Sequence, residues 1–456
     1  MNVVLISTYE LGRQPFGLAS PAAWLRKNGY EVDCADAAVA DLPEDRIRRA
    51  DLIAFYVPMH TATRLTIKYL PFVQALAPHA HLCCYGLYAP LNQSYLQRLG
   101  VNTLLGGEFE EGLLELCQRL TNEHFQQEES AQNASRISLA RQQFLLPDRT
   151  DLPALNQYAH LVGEDQGTRL VGSVEASRGC KHRCRHCPIV PVYQGKFRVV
   201  QREIVLADIR QQAAAGAKHI TFGDPDFFNG IGHALPLIHS LHAEFPELSY
   251  DVTIKIEHLL KHADALVHLK ESGCLFVTSA VESVDDSILS ILNKNHTYKD
   301  FTRVVHMFEE LDLALNPTFL PFTPWTTLAG YQKLLTSIIK LKLVEHVAPI
   351  QLAIRLLIPE GSELLDLAER DASVEKFDEA TLAYPWHHLD PRVDELHFEI
   401  LELVNSGTEK QASRQEIFTS VWNCAHRKLQ VFHPLPEPPA PALKTAFPYL
   451  SETWYC

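Results

Sequence analysis

The sequence predicts an α/β protein: an N-terminal doubly wound, Rossmann-like sheet, then a partial (β/α)6 barrel and a small C-terminal extension. Three observations predict this. Short apolar runs alternate with helical periodicity from residue 1 to about 120. The same alternation resumes at Leu170. Between them lies a polar, aperiodic stretch, Thr121-Asn-Glu-His-Phe-Gln-Gln-Glu-Glu-Ser-Ala-Gln-Asn. Continuous apolar strands separated by helices imply parallel sheets with both faces covered.

In the first unit, Asn2–Ser7, Tyr30–Cys34, Asp51–Val57, His81–Tyr85 and Asn102–Leu105 read as strands. Ser20–Asn28, Thr63–Leu76 and Glu108–Leu120 read as helices. Ligands of such sheets bind at the carboxyl ends of the strands. In the second unit the expected strands are Leu170–Ala176, His219–Phe222, Tyr250–Ile256, Leu275–Ala280, Ala314–Leu320 and Pro349–Leu357. Glu203–Ala215 and Tyr298–Leu311 are its clearest helices. Beyond residue 360 the pattern is less regular. Glu363–Leu367 and Asp394–Asn405 look helical, and the Pro-rich run from Phe432 looks extended. The expected boundaries are 1–122, a linker 123–165, a barrel 166–360 and an extension 361–456.

The chain has 456 residues and a net charge of −14, from 41 basic and 55 acidic residues. That balance argues against nucleic acid as the main partner. No apolar run approaches the roughly 20 residues that span a bilayer, and no basic leader precedes the first strand. A cytoplasmic protein is expected. Its ten cysteines then read as thiols and metal ligands rather than disulfides.

The most informative stretch is Ser177-Arg178-Gly179-Cys180-Lys181-His182-Arg183-Cys184-Arg185-His186-Cys187-Pro188. Iron–sulfur clusters normally take four cysteines. The C-x3-C-x2-C triplet of Cys180, Cys184 and Cys187 reads as a cluster that keeps one iron open. The bland alternative is structural zinc, which wants four ligands, usually in paired C-x2-C form. His182 or His186 would then supply the fourth, and no second C-x2-C exists.

This triplet at the end of a first βα strand resembles the radical S-adenosylmethionine (SAM) superfamily. The resemblance implies a [4Fe-4S] cluster whose open iron is chelated by SAM, and whose reduction cleaves SAM, usually to a 5′-deoxyadenosyl radical. It also implies an electron donor such as a flavodoxin or ferredoxin, and a small-molecule substrate. Gly223 and Asp224, in Thr221-Phe-Gly-Asp-Pro-Asp226, match the position of the turn that binds the SAM amino group, in place of the family's commoner Gly-Gly-Glu. Asp226 competes for that role, and the bland reading is an ordinary Asp-Pro turn. Glu282 and Ser283 match the Glu-Ser pair near the SAM ribose and carboxylate, although Ser283 equally suits a helix cap near Asp285. Tyr193 and Phe197 pack against the loop or the adenine, or simply fill the core.

Lys255, Glu257 and Arg355 lie among apolar residues, and a buried charge must be paired. They are expected to point into the barrel lumen. Arg355 would bind the SAM carboxylate or an anionic substrate there, or pair with Glu257. The N-terminal unit resembles the cobalamin-binding domain of many radical SAM proteins, through Gly106-Gly107-Glu108-Phe-Glu110. The Asp-x-His-x-x-Gly sequence that supplies a histidine to cobalt is absent, and neither His60 nor His81 stands in that context. Either cobalamin binds without that ligand or the domain has lost it. Several stretches, among them Ala176–Val200 and Pro321–Leu357, resemble the radical SAM group with a CUAEP or CCAEP tail. The chain stops at Cys456, where that tail's second position would follow. A selenocysteine codon read as a stop is one explanation, and a natural end with an inert thiol is the other. A paired tail would make Cys456 part of a soft ligand for arsenic or another soft centre, or of a redox pair.

The expected function is radical SAM chemistry, with alkyl transfer (methyl or aminocarboxypropyl) or hydrogen abstraction as the reaction. The alternative is a non-catalytic iron–sulfur electron carrier or sensor.

Overall fold

The computed structural model describes residues 1–122, 135–163, 168–428 and 447–452. The polar stretch after Asn122, the Pro-rich run from Phe432 and the terminal Cys456 lie outside the described residues.

The first unit is a six-stranded, all-parallel sheet in the order β2-β1-β3-β4-β5-β6. Its strands are β1 (Asn2–Ser7), β2 (Glu31–Asp36), β3 (Leu52–Tyr56), β4 (His81–Tyr85), β5 (Thr103–Gly107) and β6 (Ser135–Ser138). Alternate side chains feed two separate cores. Val3, Leu5, Ala54 and Cys83 face α1 (Phe16–Lys27) and α3 (Glu110–Thr121). Val4, Ile6, Phe55 and Cys84 face α2 (His60–Leu76) on the other side. This period-two division explains why the strands read as unbroken apolar runs. It also makes Cys83 and Cys84 core residues, fully buried, and that burial pushes both thiols up.

Helix α1 starts four residues before the expected position, at Phe16, and carries Pro21 inside it. Proline cannot donate to the carbonyl four residues back. That carbonyl, on Gly17, instead accepts the Tyr85 hydroxyl at 2.8 Å. A Cβ on Gly17 would lie 2.2 Å from the Tyr56 ring. Glycine and the inner proline therefore seat α1 on two tyrosines at the carboxyl edge of the sheet.

The second unit curls a seven-stranded sheet, ordered β14-β13-β12-β11-β8-β7-β15. Five strands are parallel: β8 (Arg169–Val174), β11 (His219–Phe222), β12 (Ser249–Thr253), β13 (Cys274–Glu282) and β14 (Ala314–Phe319). Beyond β8, β7 (His160–Val162) pairs antiparallel with β8, and the edge strand β15 (Tyr449–Leu450) pairs antiparallel with β7. The small strands β9 (Ser177–Gly179) and β10 (Phe197–Val199) form a separate hairpin. Helices α4 (Arg202–Ala214), α5 (Ile231–Glu244), α6 (Ile256–Lys261), α7 (Tyr298–Glu310) and α8 (Leu328–Lys340) complete the repeats.

The sixth barrel position differs from the sequence expectation. Pro349–Leu352 is a short 3-10 turn, and only Arg355 bridges to Phe322 in parallel register. The apolar run there is buried differently. Leu352 and Ala353 pack with Val393 and Ile400 of α9 (Pro391–Glu409), beside α10 (Arg414–Lys428). Apolarity alone does not distinguish a strand from a packed turn. Strand β12 likewise stops at Thr253, so Lys255 stands at the residue before α6 and Glu257 sits in its first turn.

Candidate functional site

The cysteine loop leaves the carboxyl end of β8, the face on which barrels of this kind carry their chemistry. Gly179 has φ 75°, and a Cβ there would come within 2.3 Å of the Tyr193 ring and 2.6 Å of the Lys196 carbonyl. Only glycine lets the chain turn into Cys180. Asn229, from the next βα turn, accepts the Lys181 amide at 3.1 Å and lies 3.8 Å from Cys180 Sγ. On the far side, Arg185 donates its side chain and its amide to the carbonyls of Ile291 and Leu292. Asn293 donates to the Arg183 carbonyl at 2.8 Å. The loop is thus anchored by two neighbouring turns. Asn229 and Asn293 left no sequence signal, because loop asparagines are common turn residues.

Cys180 and Cys184 are buried and Cys187 is half-buried. Burial, reinforced by the Asp226 charge, pushes the Cys180 thiol up to about 11. Burial and then Cys184 push Cys187 up to about 12. Thiolates here need compensating cations. The chain supplies two buried ammonium groups. Lys255 Nζ lies 3.5 Å from Cys184 Sγ, with its nearest carboxylate, Glu257, 4.0 Å away. Lys294 is 2 % exposed and pairs with Glu282 at 3.2 Å. A buried ammonium facing a sulfur is costly unless that sulfur is anionic.

These thiols do not suit a single zinc ion. Zinc–sulfur bonds of about 2.3 Å would hold the sulfurs about 3.8 Å apart. Among the described residues, the set whose ligand atoms converge within 4.8 Å is Cys180, His182 and Asp226, not the three cysteines. Thiolates spread over separate irons fit the triplet better.

The predicted SAM contacts fall into three groups. Gly223 opens the turn after β11, beside Arg13 of the N-terminal unit and Glu175. Asp224 turns inward and accepts the Ala176 amide at 2.9 Å and the Ser177 hydroxyl at 2.5 Å. Burial, only partly offset by these bonds, raises it to about 7. Asp226 is committed to His258 at 2.7 Å and His182 at 3.2 Å. Glu282, at the end of β13, adopts φ 68° and meets His186 at 3.1 Å as well as Lys294. Burial alone would raise Glu282, but Lys294 and His186 outweigh it and bring the carboxyl down to about 2. Ser283 accepts the Asp285 amide at 3.1 Å, and Asp285 itself caps the following helix. The geometry therefore joins Glu282 to the cysteine loop through His186.

Arg355 stands apart from that group. It pairs with Asp394 at 2.8 Å, stacks 3.5 Å from the Trp386 ring centroid and donates to the Trp386 carbonyl. Glu257 pairs instead with His182 and Lys255. Tyr193 packs under Gly179 and donates to Glu108, while the Phe197 ring lies 5.0 Å from Lys181 Nζ.

Inside the curled sheet, Thr253, Thr278, Asn316, Thr318 and Gln351 line a cavity of about 50 Å³. Arg414, Tyr449 and Glu452 close it from the C-terminal side and Arg13 from the N-terminal unit. This lumen is polar, in contrast to the apolar outer face of the same strands, where Val252, Val277 and Leu315 meet the helices.

Residues 174–327 match the radical SAM superfamily. The barrel carries a radical SAM domain. That superfamily is one of enzymes, and its cofactors are an iron–sulfur cluster and SAM. In this radical SAM domain the cysteine triplet, the Gly223-Asp224 turn and Glu282 all fall within the matched residues. Ribosomal protein uS12 methylthiotransferase RimO of Geobacter sulfurreducens is 26% identical over 172 residues. That match spans 36% of this chain and 38% of RimO, well under half of either. Among solved structures, the radical S-adenosylmethionine methyltransferase TsrM of Kitasatospora setae, with cobalamin and a [4Fe-4S] cluster bound, is similar with a TM-score of 0.57. It is 17% identical, and the similarity covers 75% of this chain and 73% of TsrM. The cobalamin-dependent S-adenosylmethionine radical enzyme OxsB, with aqua-cobalamin bound, gives a TM-score of 0.64 at 14% identity. It covers 91% of this chain and 72% of its own. A sheet domain followed by a radical SAM barrel is the fold these proteins share with this chain. No helix among the described residues is long and apolar enough to cross a membrane.

Proposed function

We propose that this chain binds a [4Fe-4S] cluster through Cys180, Cys184 and Cys187 and cleaves SAM reductively to modify a small molecule. The single observation that carries this reading is the set of three thiols, two buried and one half-buried, beside two buried lysines, Lys255 against Cys184 and Lys294 within reach of the charges of Cys184 and Cys187, inside a radical SAM domain. The cluster, when bound, supplies the electron that breaks a sulfonium carbon–sulfur bond of SAM. Every other task falls to the chain. Lys255 offsets thiolate charge at Cys184. Gly179 and Asn229 hold the loop in place. Gly223 presents bare backbone at the turn after β11, and Glu282, kept ionised by Lys294 and His186, offers a carboxylate to SAM hydroxyls. Ser283 and the turn at Asp224 fix the ends of the strands that present these groups. Arg355 closes the sixth position through Asp394 and Trp386, so its role is to hold the barrel rim.

The substrate that suits the lumen is small and polar, because hydroxyl and amide side chains line it and Arg13 and Arg414 flank it. Methyl transfer is the favoured outcome by analogy with the methyltransferase TsrM, whereas RimO is a methylthiotransferase. That analogy rests on fold and family. Cobalamin finds less support. At the carboxyl edge of the first sheet, the rings of Tyr56, Tyr85 and Phe109 pack tilted against one another with centroids 5.0–5.7 Å apart, and Arg178 lies over Phe109. These side chains fill the crevice where such sheets take ligands, and no step of the reaction is assigned to cobalamin.

Iron and sulfide analysis after anaerobic reconstitution tests the proposal. The expected content is four irons per chain, lost in the Cys180→Ala/Cys184→Ala/Cys187→Ala variant. SAM should also perturb the electron paramagnetic resonance spectrum of the reduced cluster. Zinc in place of iron, or a spectrum indifferent to SAM, would overturn it.

A further inference from the structure

The cysteine loop reverses the charge of the chain around it. The protein carries a net charge of −14, yet residues 176–202 hold seven lysines and arginines and no acidic residue. Four of the seven are committed. Arg178 is buried against Glu110, and Arg185 binds the Ile291 carbonyl. Arg198 binds the Leu139 carbonyl at 2.8 Å, and Arg202 lies 3.5 Å from Glu203. The other three, Lys181, Arg183 and Lys196, are exposed, and none has an ion pair among the described residues.

These three share one face. A Cβ on Gly195 would lie 3.4 Å from the Lys181 carbonyl and 3.6 Å from Arg183 Nε, so the turn carrying Lys196 rests on the stretch between Cys180 and Cys184. Lys181 Nζ lies over the ring of Phe197, which follows Lys196. The charges of Lys181 and Lys261 both bear on His262, which extends the cationic face to the end of α6. Each of Lys181 and Arg183 is the chain neighbour of a cluster cysteine.

We infer that the face formed by Lys181, Arg183 and Lys196 docks an acidic protein carrying a one-electron centre. The inference rests on the proposed function and names its electron partner and the place of contact. Three uncompensated cations on an otherwise acidic molecule steer a negatively charged partner to this face and repel it elsewhere. A partner seated there sits one residue from Cys180 and Cys184, which keeps the electron path short. The balance is one electron: the partner's reduced centre is oxidised by one electron, the cluster is reduced by one, and no bond is made or broken. The opposite side of the loop does not offer this access, since Cys187 is flanked by Leu91 of the N-terminal unit and by Pro359, Glu360 and Glu363.

The test uses the full chain, reconstituted anaerobically, with a flavodoxin (an acidic flavin mononucleotide protein) as the probe. Calorimetry and stopped-flow reduction are run on the wild type and on K181E/R183E/K196E. The expected result is about tenfold or greater loss of affinity and of reduction rate in the variant, with wild-type affinity falling as salt rises. Reduction by dithionite should be equal in the two proteins. The neutral variant K181Q/R183Q/K196Q, expected to lie between them, serves if charge reversal perturbs folding. Equal affinity in wild type and variants, or no wild-type binding of flavodoxin, would overturn the inference. So would capture of a single-stranded RNA oligonucleotide by this face in place of flavodoxin. Iron content and SAM cleavage with dithionite report separately on the proposed function, and calorimetry on the cluster-free chain still reads the docking face if no cluster forms.

Discussion

Arg178 forks onto Glu110: its two terminal nitrogens lie 3.0 and 2.7 Å from the two carboxylate oxygens, with both side chains buried. Glu110 opens α3 in the first sheet unit, and Arg178 stands two residues before Cys180. The N-terminal domain therefore grips the cysteine loop directly. Glu108, Glu175 and the rings of Phe16, Phe109 and Phe144 complete the setting. The Gly-Glu-x-Glu turn, read from sequence as a cofactor-domain signature, here holds an arginine.

Glu110→Gln should destabilise the chain by about 3 kcal/mol, because it leaves a buried guanidinium short of charge. Burial acts to raise Glu110, but Arg178 outweighs it and sets the carboxyl below its ordinary value. A carboxyl with a depressed folded pKa contributes stability above its unfolded pKa, about 4.3, and loses it as pH falls through the folded value. The difference in melting temperature between wild type and Glu110→Gln should thus be largest near neutrality and shrink below pH about 4. A difference that grows in acid would contradict this account.

Gly179→Ala should lower iron occupancy more than global stability. The added methyl meets the Tyr193 ring and the Lys196 carbonyl at a positive φ, a strain of about 1–3 kcal/mol. Iron per chain should fall while the circular dichroism spectrum holds.

Lys255→Met should keep the cluster but make it harder to reduce, since removing a cation beside Cys184 Sγ disfavours the added electron. Redox titration should show a more negative midpoint than wild type, and an unchanged midpoint would remove Lys255 from the electrostatics of the loop.

Glu282→Ala strands Lys294 in the core and should cost about 3–5 kcal/mol. The paired change Glu282→Met/Lys294→Met should restore much of that stability. SAM affinity, measured by calorimetry, should stay low in the double variant if Glu282 contacts SAM, and should recover if its role is only structural.

The sequence made the sheets legible because parallel strands buried on two faces leave unbroken apolar runs, as in Leu52–Tyr56 and His219–Phe222. The C-x3-C-x2-C triplet was legible because spacing along one loop is a local property. Partners across the fold were not. Lys294 carries no local signal in Asn293-Lys294-Asn295, and its meaning appears only when β13 brings Glu282 beside it. Arg355 stood out by its apolar neighbours, but its partner Asp394 comes from a helix 39 positions later. The run Pro349–Leu357 misled because burial against α9 and α10 makes a turn as apolar as a strand.

Whether the chain cleaves SAM is read out by product analysis after one anaerobic incubation of the reconstituted chain with dithionite and SAM. The expected result is a SAM fragment, 5′-deoxyadenosine or methylthioadenosine, formed by the wild type and absent from the Cys184→Ala variant. An intact pool of SAM beside a fully loaded, dithionite-reduced cluster would contradict it.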